Sequence, residues 1–169
     1  WATPLTLLNY LLLGCASGST LAATLVSLHL APAQAAPFAT AALALTLAGL
    51  VSRAASLRRN ARLKPRSTLQ SAIGIKHPGI GQRAQCFMGG SFNTREFFHG
   101  RSVVFLRSVK WFFLGAAFVL PAALLAAAPA SGAALAAAFA IQFAGLLAER
   151  WFFFAQANHP QNLYYQTIS

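Results

Sequence analysis

The sequence has little charge and almost no acid. Only 9% of its 169 residues are charged, against a soluble norm of about 25%, and Asp plus Glu number 2 against 13 Lys plus Arg. That deficit excludes a water-soluble globule. Two cysteines are too few for a disulfide framework. Cys15 sits in an apolar run and Cys86 in a basic segment, so both are expected as free thiols. The sequence also lacks a phosphate-binding loop, a paired-cysteine zinc spacing and a nucleophile elbow. Its four histidines, His29, His77, His99 and His159, are scattered, so neither a metal site nor a haem with two axial ligands at matching depth is expected. A net charge of +11 would point to nucleic acid in a soluble chain, but the placement of the charges argues against that partner.

Asp, Glu, Lys and Arg are absent from Trp1 to Ser52 and again from Trp111 to Ala148. A helix crosses a bilayer core of about 30 Å with about 20 residues, so each stretch must cross twice. The first breaks at Ala31-Pro32-Ala33-Gln34-Ala35-Ala36-Pro37 and the second at Ala128-Pro129-Ala130-Ser131-Gly132. The expected fold is therefore all-α, an integral membrane four-helix bundle of two hairpins. Its helices are placed at about 4–30, 37–59, 102–128 and 132–158, with a connector at about 60–101, all in one membrane domain. Because the chain opens at Trp1 without a cationic start or cleavage site, it is expected to be part of a longer protein.

Twelve of the 13 basic residues lie between Arg53 and Lys110, and neither hairpin turn carries one. The positive-inside rule then places the connector in the cytoplasm and both turns on the opposite side. Trp111 to Phe113 and Trp151 to Phe154 are expected as aromatic belts at headgroup depth. Small residues at Gly132, Ala136, Ala140, Ala144 and Ala148, and the Gly14 and Gly18 pair, predict close helix approach. Pro121 should distort its helix, and Gln142 needs a polar partner inside the bundle. Glu149 with Arg150 fits an interfacial pair, with a proton relay as the alternative.

The connector mixes glycines, aromatics and cations, which suits a headgroup region or a docked protein. Arg83, Phe87, Phe92, Arg95, Phe97 and Phe98 are its candidate docking residues. His77, Arg95, Glu96 and His99 concentrate hydrogen-bonding and titratable groups near the membrane, as a quinone headgroup requires, although surface pairs or contact with a partner subunit are the stronger reading of Arg95 and Glu96.

Several motifs carry a family resemblance. They are Thr3-Pro4-Leu5-Thr6-Leu7-Leu8-Asn9-Tyr10, S-T-L-Q-S-A-I-G-I-K-H-P from Ser67 to Pro78, and G-G-S-F-N-T-R-E-F-F-H-G from Gly89 to Gly100. To these are added E-R-W-F-F-F-A from Glu149 to Ala155 and N-H-P-Q-N-L-Y-Y to Tyr165. With them the chain resembles the DmsC-like membrane anchor subunits of dimethyl sulfoxide reductase-type molybdopterin oxidoreductases, and in particular the last four helices of that eight-helix fold. The resemblance implies a bacterial inner-membrane protein with an iron–sulfur partner and a molybdopterin catalytic partner. It also implies electron exchange with menaquinone or ubiquinone, no haem or metal in this chain, and clusters and molybdopterin held by the partners. It leaves open a reductase that oxidises quinol and a sulfite dehydrogenase that reduces quinone, and the cytoplasmic placement of the connector favours the second. Outside the resemblance, a four-helix transport or assembly protein without a redox role is the alternative.

Overall fold

A computed structural model describes residues 3–30, 32–63, 70–71, 74–77 and 102–155. The described residues form helices, with no strand among them. Helix α1 is Pro4–His29 and α2 is Pro32–Arg62. Helix α3, Val103–Leu114, runs into a π-helical turn at Gly115–Val119, then α4, Leu120–Ala127; α5 is Gly132–Ala155. Four spans are long and apolar enough to cross a membrane: Pro4–His29, Ala33–Arg62, Val104–Ala127 and Gly132–Ala155. The expected four-helix membrane fold is thus borne out, with one shift: α2 starts at Pro32 and carries Pro37 inside it. The first turn of a helix uses no backbone donor, so the missing N–H of Pro32 costs nothing there, Pro32 serves as a start and the chain turns earlier than expected.

The chain groups into two compact units, Trp1–Arg62 with Lys110–Glu149, and Leu63–Val109 with Arg150–Ser169. In the first unit the buried positions follow a seven-residue repeat. On α1 they include Asn9, Leu13, Ala16, Thr20, Ala23 and Ser27, and on α2 Ala35, Ala39, Ala42, Thr46, Gly49, Arg53 and Ser56. On α5 they are Leu135, Ala138, Gln142, Gly145 and Glu149. Alternate steps of three and four residues give the seam of a left-handed bundle. One end of this core is apolar, with Ala23, Ala35, Ala39, Ala42, Leu125, Leu135 and Ala138 in one cluster. The opposite helix faces present Leu7, Leu11, Leu25, Leu47, Phe143 and Leu147 outwards, as lipid requires.

The expected small-residue stripe on α5 is corrected. Ala140 and Ala144 are exposed, and the buried seam runs through Gln142 and Gly145 instead. The reason is geometric: at 3.6 residues per turn a strict four-residue spacing drifts about 40° per step, so Gly132 and Ala148 point about 160° apart. Gly14 and Gly18 are likewise not a close approach among the described residues, since a methyl group built at either meets nothing there within 4 Å. Gly132 of the expected stripe does lie close, a Cβ there falling 2.9 Å from Leu28 Cδ2, but the tightest approach to backbone lies at Gly145. A Cβ there would overlap the backbone of Ala116 and Ala117, 2.6 Å from the Ala116 carbonyl carbon.

That contact falls on the π turn. Pro121 has no N–H to give the Ala117 carbonyl, and the amide of Leu120 reaches back five residues to the Gly115 carbonyl. The distortion expected at Pro121 takes this form, and it places the widened turn against the glycine of α5. Of the expected aromatic belts, Trp111 and Phe112 are exposed, while Phe113 and Phe152 are buried and belong to the interior. Within the second unit Phe105 meets Trp151 edge to face, with centroids 6.1 Å apart, and the Arg150 guanidinium lies 5.2 Å from the Phe153 centroid.

Candidate functional site

The first unit contains polar groups in layers along its seam. The deepest layer is held by Gln142, which is almost fully buried. Its Oε1 accepts from the Thr20 hydroxyl at 2.8 Å, and its Nε2 donates to the Thr46 hydroxyl at 3.1 Å. One amide therefore ties α5 to both α1 and α2, the polar partnership that a glutamine inside a membrane bundle demands. Thr20 can face inwards because its hydroxyl also lies 2.9 Å from the Ala16 carbonyl one turn back, so its single proton is shared between that carbonyl and Gln142 Oε1. Replacing Gln142 by Leu should cost about 1–3 kcal/mol, two interhelical bonds at about 0.6–1.7 kcal/mol each, measured by thermal unfolding in detergent. Thr46→Val should cost about half as much, since one of the two bonds survives.

Two helical turns along α5, about 10 Å from Gln142, sits the charged layer. Glu149 is 0% exposed and Arg53 1%. Arg53 Nε lies 2.7 Å from Glu149 Oε1, joining α2 to α5, and the guanidinium stands 5.6 Å from the centroid of the buried Phe113 ring. Glu149 thus pairs across the bundle with Arg53, a partner that its place beside Arg150 in the sequence does not announce. One of the two carboxylates in the whole sequence is buried in a membrane span.

Beside the pair, Asn9 of α1 and Ser52 and Ser56 of α2 complete the layer, each at least nine-tenths buried. Asn9 Nδ2 donates to Ser56 Oγ at 2.7 Å, and that hydroxyl donates to the Ser52 carbonyl at 3.1 Å. Asn9 Oδ1 and Ser52 Oγ have no hydrogen-bond partner among the described residues. The donor set is one carboxylate, one guanidinium, an amide and two hydroxyls, chemistry suited to hydrogen bonding and proton movement. Among the described residues no three His, Cys, Asp or Glu side chains converge as metal ligands.

Of the residues proposed from sequence, His77 is exposed at the surface, and its carbonyl accepts from Gln70 Nε2 at 3.2 Å. Arg83, Phe87, Phe92, Arg95, Glu96, Phe97, Phe98 and His99 lie outside the described residues. The Arg53, Glu149 and Asn9 layer escapes sequence reasoning because Arg53 looks like the first residue of the basic flank. The seven-residue register is the signal that could find it, since that register puts Arg53 in the α2 seam and Glu149 in the α5 seam.

No family model and no solved structure matches the chain. A subunit of the sulfite dehydrogenase of Allochromatium vinosum is 51% identical to it over 171 aligned residues, covering 100% of this chain and 52% of that protein. The chain thus spans about half the length of the curated relative it matches. Identity at this level from end to end covers all four spans, both turns and the connector. With four helices able to cross a membrane, the chain is homologous over its whole length to about half of this sulfite dehydrogenase polypeptide, in keeping with the membrane-anchor family its motifs resemble.

Proposed function

We propose that the chain forms part of the membrane subunit of a sulfite-oxidising complex and passes electrons from an iron–sulfur partner to membrane quinone. The observation that carries this reading is the 51% identity over the whole chain to a sulfite dehydrogenase subunit, joined to four membrane-competent helices. The chemistry is self-consistent. Oxidation of sulfite with water to sulfate releases two electrons and two protons, and reduction of quinone to quinol takes up two of each. Sulfite chemistry and its molybdopterin belong to a soluble partner, whereas a chain of this hydropathy supplies the lipid-soluble acceptor with a place to meet the electrons. Menaquinone and ubiquinone both fit that role.

The complex sits in the bacterial inner membrane in this reading, with the connector in the cytoplasm. Arg53 is neutralised by Glu149 and drops out of the topological argument, but the other cations from Arg58 to Lys110 still outnumber those of the turns, which have none. Arg83, Phe87, Phe92, Arg95, Phe97 and Phe98 dock the iron–sulfur protein, and His77, Arg95, Glu96 and His99 receive the quinone headgroup. The exposed position of His77 supports that assignment, because a headgroup contact must be reachable.

The competing reading is a membrane transporter or assembly factor, and the buried Arg53–Glu149 pair is what favours it, since charges inside spans commonly mark ion pathways. Purification of the full-length protein in mild detergent separates the two. A molybdenum-containing protein and an iron–sulfur protein should come with it, and replacement of Arg83 and Arg95 by Glu should release them. Isolation of the membrane protein alone, with no such proteins in the membrane extract bound to it, points to the transporter.

A further inference from the structure

The charged layer is a poor device for stability. Exchanging a buried ion pair for apolar side chains of similar volume is often neutral or stabilising, so packing alone gives no reason for Arg53 and Glu149. The two leftover polar atoms beside them sharpen the point. Buried polar groups nearly always find partners, and where protein supplies none, an ordered water usually does. Asn9 and Ser52, which carry these two atoms, are linked through one hydroxyl, Ser56 Oγ, which accepts from Asn9 Nδ2 at 2.7 Å and donates to the Ser52 carbonyl at 3.1 Å. Either orientation of the Asn9 amide leaves one of its two polar atoms over. If it turns, Oδ1 meets Ser56 and Nδ2 is left.

We propose that Asn9, Ser52 and Ser56 hold buried water beside the Arg53–Glu149 pair, and that this hydrated layer carries protons through the end of the bundle. The ligand is water, held by the amide of Asn9 and the hydroxyl of Ser52. A proton moves along it by exchange of hydrogen bonds: the water gives one to an acceptor on one side and takes one from a donor on the other, so no net charge is left behind. The Asn9 amide suits this role because it offers an acceptor or a donor according to its orientation, and serine hydroxyls rotate between both. Glu149 supplies the carboxylate of the layer, and Arg53 holds it at 2.7 Å. The inference rests on the quinone reading above, which requires protons to be taken up along with electrons.

The test uses the whole detergent-purified complex. In a map fine enough to show waters, density is expected within hydrogen-bonding reach of both Asn9 and Ser52 Oγ, and a dry contact there overturns the proposal. In complexes carrying Ser52→Ala or Asn9→Leu, sulfite-dependent quinone reduction should slow about tenfold or more, as loss of a proton-transfer group does. Its solvent deuterium isotope effect should rise, and sulfite-dependent reduction of a water-soluble dye should be unchanged. Unaltered quinone kinetics and isotope effect in assembled variants overturn the proposal. If the wild-type complex reduces dye but never quinone, the electron-transfer reading fails instead, and the water density alone decides the site.

Discussion

Glu149→Ala should be the most damaging single substitution in the described bundle, lowering stability by about 3–5 kcal/mol. Its partner Arg53 is 1% exposed, so removing the carboxylate leaves a guanidinium inside a membrane span without its counter-charge. An unpaired cation there costs about 2.5–3.5 kcal/mol even on the scale of biological insertion. Arg53→Ala should be comparably severe, because it strands the carboxylate and opens a cavity against Phe113. The double replacement Arg53→Met with Glu149→Leu should recover most of the loss, since no charge is left buried. Thermal unfolding of the detergent-solubilised protein gives these values, and the recovery separates an electrostatic cause from a packing one. If the double variant is as unstable as the singles, the layer is held by shape and not by charge compensation.

Gly145→Leu is the second large effect. Even the first carbon of a side chain at 145 would overlap the backbone of Ala116 and Ala117, and a backbone cannot rotate aside as a side chain can. Overpacking a core typically costs about 1–3 kcal/mol, and Gly145→Ala should fall at the upper end of that range. Gly145→Leu should prevent α5 from closing on the π turn altogether. Gly14→Ala and Gly18→Ala serve as controls of identical chemistry, because both positions open onto free space. Each should be neutral or gain up to about 1 kcal/mol from the better helix propensity of alanine. Comparable losses at positions 14 and 145 would mean that the two glycines are equivalent, contrary to the packing described. These two effects exceed the Gln142 contribution because a misplaced charge or a steric overlap cannot be relieved by finding another hydrogen-bond partner.

The architecture is legible in the sequence wherever it depends on composition over long windows. Charge-free stretches and proline-bearing breaks locate the four spans and both turns, and a lone Gln142 in an apolar helix announces that something polar must face it. Register is harder to read. Alanine is so common in α5 that a four-residue stripe and a seven-residue seam both fit, and only the drift of the stripe around the helix tells them apart. Arg53 and Glu149 are 96 residues apart in the chain and each stands at the edge of an apolar run, where a charge normally marks the end of a span. Their pairing depends on which helices are neighbours, and that is decided by packing across two hairpins. Asn9 is legible only as part of a family motif, since one amide near a helix start has no distinctive local signature. Residue type alone assigns Phe113 and Phe152 to the aromatic belts, whereas burial is set by the direction each ring takes from its helix.

The measurement that bears most directly on the central claim is sulfite-dependent quinone reduction by the purified complex, with and without its membrane protein. With that protein present, sulfite should reduce both a soluble dye and a lipophilic quinone. Without it, dye reduction should persist while quinone reduction falls to background, because the catalytic and iron–sulfur partners keep their chemistry but lose the route into the membrane. Undiminished quinone reduction in its absence would contradict the account and leave this chain an anchor with no part in electron transfer.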